Sequence, residues 1–279
     1  MKPLFSPIRF AQFLRWEVLG NPRNYLYWFC AIFLISLLAL QMLSIPLYGD
    51  HYQTGMPYYL GADKIGAQVR LYFMGLLYLL FLTLAPSYIK HATLTDKAKR
   101  MEQLMLPVSA LERYVAQWLI CTVGCTLIFI TAFILADLVN LFLLSLYFPL
   151  MEGFQPVPVG YLFGIGTDEW GIIRTNHFYN SGGVLFSSFL LLQSIYFFTS
   201  YFWSKRSFIK TSLILVAFVI AFVATFVYTP CLKDLLLQDN SDTLLLETIG
   251  WSGAHYIAAL YFLALGYGRL REAESIPRW

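Results

Sequence analysis

The chain has 279 residues, of which 58% are hydrophobic and only 13% charged, with a mean hydropathy of +0.62. Soluble domains carry about 25% charged residues, so the composition excludes an ordinary water-soluble globule and makes lipid the solvent for most of the apolar surface. The net charge of +3 is small, and its distribution along the chain carries the information.

The first two dozen residues hold Arg9, Arg15, Glu17 and Arg23, with no uninterrupted apolar core and no small-residue cleavage site. They do not read as a signal peptide. They read as a short amphipathic helix. Ser6 can cap it, and Pro7 suits its first position. Phe10, Phe13, Leu14 and Val18 recur at helical spacing, with Arg9, Gln12 and Arg15 away from that stripe. Gly20-Asn21-Pro22 ends it. Such a helix is expected to lie in the cytoplasmic interface, arginines near phosphates and phenylalanines near acyl chains. A plain juxtamembrane anchor would have the same pattern.

Six runs approach the roughly 20 apolar residues that a spanning helix needs. They cover about 25–47, 71–89, 114–136, 183–203, 208–228 and 251–270. Pro86 kinks the second near its inner end. His255 and several glycines dilute the sixth, where a satisfied interfacial histidine is expected. The third continues past Asp137 and Asn140 to Tyr147, either as one tilted helix or as a span with a helical extension. Asp137 is expected near the outer interface, solvated or capping a helix. Cys121 and Cys125, one turn apart, are expected to pack as small hydrophobes.

The segment 91–113 between the second and third runs is the most informative. Asp96 to Met105 forms a plausible short helix that Pro107 stops, because the residue before a proline avoids helix. Ser109 and Glu112 then make a capping box, Ser-x-x-Glu, directly before an apolar run. A short helix held between two spans suits docking, although a simple turn would also connect them.

The outer segments are 48–70, 149–182 and 229–250. The second contains Asp168, Glu169 and Trp170, expected as a solvated loop. The third has two leucine triplets around a polar tip, 238–242, and could be a hairpin dipping into the outer leaflet or two helices resting on it.

Six spans put both ends on one side. That side then holds 15 of the 19 basic residues, leaving Lys64, Arg70, Arg174 and Lys233 on the other. Basic residues mark the cytoplasmic side, so both termini are expected in the cytoplasm, in an inner (plasma) membrane. Aromatic residues at the expected boundaries, such as Tyr25, Trp28, Trp203 and Trp251, suit the interfacial belt.

No phosphate-binding Gly-x-x-x-x-Gly-Lys-Ser/Thr loop, His-Glu-x-x-His, Gly-x-Ser-x-Gly or Cys-x-x-Cys occurs. No metal or cofactor is expected in this chain. The runs also lack the buried acids and bases that mark ion-coupled transport. The pattern suits a channel or exporter energised by a separate subunit.

The chain resembles the permease subunits of type-2 ABC exporters, in overall architecture and in one local motif: a basic residue and an acid followed by Leu-Pro-x-Ser before the third span. Here it reads Arg100-Met-Glu-Gln-Leu-Met-Leu-Pro-Val-Ser109. The resemblance covers nearly the whole chain. It implies an all-α polytopic fold, a single transmembrane domain of six helices with an interfacial helix (Arg9, Phe10, Phe13, Leu14, Arg15) and a cytoplasmic coupling helix. It implies a separate ATP-binding subunit, holding ATP and Mg, docked through Lys97, Arg100, Met101, Glu102, Leu104 and Leu106 and also through the N-terminal helix, with Pro107 and Ser109 setting the angle to the third span. It also implies a second permease copy or a sister permease, contact with membrane lipids and no nucleic-acid partner. The outer segment after the third span is longer than the family's. A non-transporting membrane scaffold is the alternative expectation.

Overall fold

The computed structural model describes residues 5–20, 22–53, 60–94, 108–148, 154, 156, 157, 159, 181–203, 206–228 and 244–275, and no strand occurs among them. The helices are α1 (Pro7–Gly20), α2 (Pro22–Gln53), α3 (Leu60–Leu94), α4 (Ala110–Leu119), α5 (Cys125–Tyr147), α6 (Ser181–Phe202), α7 (Ser207–Tyr228) and α8 (Leu244–Ser275). A π-helical turn, Ile120–Gly124, joins α4 to α5 without a break. Among the described residues three stretches are long and apolar enough to cross a membrane: Pro22–Pro46, Val69–Ser87 and Ala110–Tyr147. These are the first three expected spans. Helices α6, α7 and α8 occupy the places of the other three.

The helices run further than the apolar pattern suggested. The outer segment 48–70 is largely helix, because α2 continues to Gln53 and α3 already begins at Leu60. Leu244, Leu245 and Leu246, expected in a separate turn or hairpin, are the first turn of α8. The rest of that outer segment, 229–243, lies outside the described residues.

The third stretch is one helix of 38 residues. At 1.5 Å per residue that is about 57 Å, well beyond a hydrocarbon core of about 30 Å. Its π turn has a visible cause. The Cys125 amide bonds back to the carbonyls of Ile120 and Thr122, so one residue is inserted into the ladder. Thr122 Oγ1 donates to the Trp118 carbonyl and Thr126 Oγ1 to the Thr122 carbonyl, both at 2.5 Å, which satisfies acceptors along the altered ladder. The one hydroxyl proton of Thr126 is thereby used, so Tyr78 is the donor in its 2.9 Å bond to Thr126.

The chain forms two compact units, Met1–Leu82 with Val115–Phe186, and Thr83–Tyr114 with Ser187–Trp279. In the first, α2 packs along α5. Rings from three helices line up through its core: Trp28 on Phe81 at 5.1 Å, Phe81 on Phe129 at 6.0 Å, Phe129 on Phe133 at 5.9 Å. Ala132 and Ala136 are fully buried, and such small residues let helix backbones approach closely.

In the second unit Tyr114 is ringed by Phe197, Tyr201 and Tyr267, at 5.2, 5.4 and 5.9 Å. Its hydroxyl donates to the Leu263 carbonyl at 2.7 Å. Hydroxyl pairs tie α6 to α7: Tyr196 with Ser212 and Thr199 with Thr211, each at 2.8 Å. Ser207 adds a bond to Ser87 of α3 at 3.1 Å. Where apolar burial gives no preference over lipid, such bonds hold helices together.

Candidate functional site

The first unit contains a buried polar cluster built by α2, α3 and α5. Arg70 Nη1 lies 2.8 Å from Asp137 Oδ1, and the side chains are 1% and 4% exposed. Arg70 Nε also points at the Gly66 carbonyl, 3.4 Å away. The second carboxylate oxygen of Asp137 accepts the backbone N–H of Val157 at 2.8 Å. One turn along α5, Asn140 accepts from Gln41 Nε2 at 2.8 Å and reaches Ser44 Oγ at 3.5 Å.

The helical repeat explains the placement. Gln41 and Ser44 are three residues apart on α2, and so are Asp137 and Asn140 on α5, so each pair shares one helix face. Beside them Tyr48, Leu144 and Phe148 form an apolar cluster, with Phe154 edge-on to Tyr48 at 5.3 Å. The residues after α5 are thus held twice, by Phe154 through its ring and by Val157 through its amide.

This corrects two expectations. Asp137 is neither solvated nor a helix cap; Arg70 takes it out of water, as a buried acid requires a partner. The helices long and apolar enough to cross a membrane do not lack buried charge. The signal in the sequence was the matched polar spacing on α2 and α5, but Arg70 stood at the edge of an apolar run and carried no mark of its partner.

The expected capping box is present. Ser109 N–H donates to Glu112 Oε2 at 2.9 Å, and Glu112 N–H donates to Ser109 Oγ at 3.2 Å. Two of the N–H groups that a helix start leaves open are satisfied reciprocally. Glu112 is fully buried there. Lys97, Arg100, Met101, Glu102, Leu104, Leu106 and Pro107 lie outside the described residues, as do Asp168, Glu169 and Trp170.

Helix α1 forms as expected. The Ser6 carbonyl accepts the Phe10 amide at 3.0 Å, so Pro7 takes the first helical position. Its orientation differs from the expected stripe. Phe13 and Glu17 are buried, and Arg9, Phe10 and Leu14 are half-buried. Val18 is exposed, as is Arg15. Arg9 therefore lies on the protein-facing side.

In the second unit His255 Nδ1 lies 3.2 Å from Ser187 Oγ and 3.3 Å from Ser188 Oγ, which is the satisfied histidine that was expected. Cys121 and Cys125 are buried free thiols. Among the described residues no group of three His, Cys, Asp or Glu is placed to hold a metal ion.

Together these features define an all-helical chain with helices able to cross a membrane and a closed ion pair among them. Compared with family models, with curated proteins and with solved structures, the chain gives no match.

Proposed function

We propose that this chain is the membrane-spanning permease subunit of an ATP-driven exporter, energised by a separate ATP-binding subunit. It crosses an inner (plasma) membrane six times with both termini in the cytoplasm. Two copies, or this chain and a sister permease, enclose the pathway. The spans are so apolar that the cargo class is hydrophobic or amphipathic. ATP and Mg belong to the partner, whose closure rocks the spans and opens the pathway outward.

The observation that carries this reading is the entry to the third long helix. A basic segment ends in Leu-Pro-Val-Ser109, and Ser109 and Glu112 cap the helix that follows. A capped start makes that entry rigid, so force applied to the preceding segment is passed into α4 and α5. The amphipathic α1 ahead of the first apolar helix supports the same reading.

Met101→Asp and Leu106→Asp test it in the purified complex. The reading expects loss of the ATP-binding subunit or ATPase activity that no longer responds to the membrane part. Full complex formation with normal coupling in both variants contradicts it.

A non-transporting membrane scaffold is the second reading. It is favoured by the mutual use of polar groups in the first unit, where Arg70, Asp137, Gln41 and Asn140 are engaged with one another.

A further inference from the structure

Helix α1 has two apolar faces, and only one meets the protein. Phe13 and Glu17 are buried, with Arg9, Phe10 and Leu14 beside them. On the opposite side Ile8 is 71% exposed, Leu19 62% and Trp16 38%. At 100° per residue, positions 8, 12, 15, 16 and 19 share an arc of about 100°. That arc is centred about 140° around the helix from the buried one. Gln12, Arg15, Trp16, Leu19 and Gly20 line a shallow open groove on it. Trp16 is held on one side by Phe13, with ring centroids 6.0 Å apart. Among the described residues no hydrogen bond or ion pair engages Gln12 or Arg15.

We propose that this face is a binding surface for anionic phospholipid. Three observations select that occupant. Ile8 and Leu19 lie within about 20° of each other inside the arc and about 16 Å apart along the helix, and offer exposed aliphatic surface suited to acyl chains. Trp16 combines an apolar ring with an N–H donor, the chemistry that places tryptophan at headgroup level. Arg15 lies at one edge of the arc, along the helix between Ile8 and Leu19, with a guanidinium that no described residue engages, which matches a phosphate in charge and in forked geometry. A neutral protein surface would leave Arg15 buried without a counter-charge, whereas a bilayer lets its aliphatic stem lie on the apolar side and its head reach the phosphate. The expected stripe and the exposed side are therefore different. Phe10, Phe13 and Leu14 dock α1 to its own chain, and Ile8, Arg15, Trp16 and Leu19 dock it to lipid.

The inference rests on a membrane location and not on ATP-driven transport, so the two fail separately. The full-length chain is expressed with the photoreactive p-benzoylphenylalanine in place of Ile8, Leu19 or, as a comparison, Phe10. Membranes are irradiated and the chain is weighed by mass spectrometry. Lipid adducts at Ile8 and Leu19, and few at Phe10, are expected. Separately, the full-length protein is equilibrated with mixed phosphatidylcholine and phosphatidylglycerol, and the lipids it retains are counted by native mass spectrometry. Arg15→Gln is expected to lower the phosphatidylglycerol preference about five-fold, the share of one basic residue at an anionic surface, and Arg15→Lys to keep most of it. A protein adduct at Ile8 or Leu19, no adduct at either, equal lipid labelling at Phe10, or an unchanged preference in Arg15→Gln overturns the proposal.

Discussion

Arg70 and Asp137 meet at 2.8 Å although 67 residues separate them in the chain, and neither side chain is more than 4% exposed. The pair links α3 to α5, and through Asp137 Oδ2 it also holds the Val157 amide. Removing one partner leaves the other charged and buried, which costs about 3–5 kcal/mol, while replacing both with apolar groups of similar volume is close to neutral. Arg70→Met and Asp137→Leu are therefore each expected to lower the thermal unfolding midpoint of the detergent-purified protein strongly. The double variant should recover most of the loss. It should not recover all of it, because the Val157 amide then lacks its acceptor, at about 1–3 kcal/mol. Additive losses in the double variant would contradict a paired role.

Gly266 and Tyr114 form a second close relationship. A Cβ on Gly266 would collide with the Tyr114 hydroxyl and lie 3.3 Å from its Cζ. The ring cannot easily move, since Phe197, Tyr201 and Tyr267 surround it. Gly266→Ala should destabilise by about 1–3 kcal/mol, as overpacking does. Tyr114→Phe removes the colliding atom, so the double variant should lose less than the sum of the two single losses. Unfolding followed by intrinsic fluorescence measures both.

Ser109→Ala removes one half of the capping box and is expected to cost about 1 kcal/mol. Glu112→Gln keeps an acceptor for the Ser109 amide and should cost less than Glu112→Ala, which also empties a fully buried position. Equal losses for the two substitutions would show that packing alone, and not the reciprocal bond, holds this helix start.

Arg206 has φ 54°, in the left-handed region where a Cβ costs roughly 1–2 kcal/mol. Its carbonyl accepts the Lys210 amide at 3.2 Å, which starts α7. Arg206→Gly keeps that bond and relieves the strain, so it should raise the unfolding midpoint. Arg206→Val should lower it, because a β-branched side chain tolerates this conformation least.

What was legible in the sequence was local. Ser-x-x-Glu before an apolar run announced the start of α4, and Ser-Pro announced α1, because in both the bonds form within one turn. The first three apolar stretches were legible from length and hydropathy. Partners distant in the chain were not. Asp137 carried a sign of its role only in its spacing from Asn140, and nothing near Arg70 named an acid 67 residues away. Gly266 was visible as a residue that diluted an apolar run, whereas its function is to make room for a ring 152 positions earlier. The orientation of α1 failed for another reason. Both its faces carry apolar residues, so periodicity located a helix without telling which side meets protein.

The central claim is that a separate ATP-binding subunit drives this chain. The most direct test is purification of the tagged full-length protein in mild detergent, with mass spectrometry of what accompanies it. The account predicts a stoichiometric ATP-binding subunit that is lost on Met101→Asp. Recovery of the chain at normal expression without such a subunit would contradict it and favour the scaffold reading.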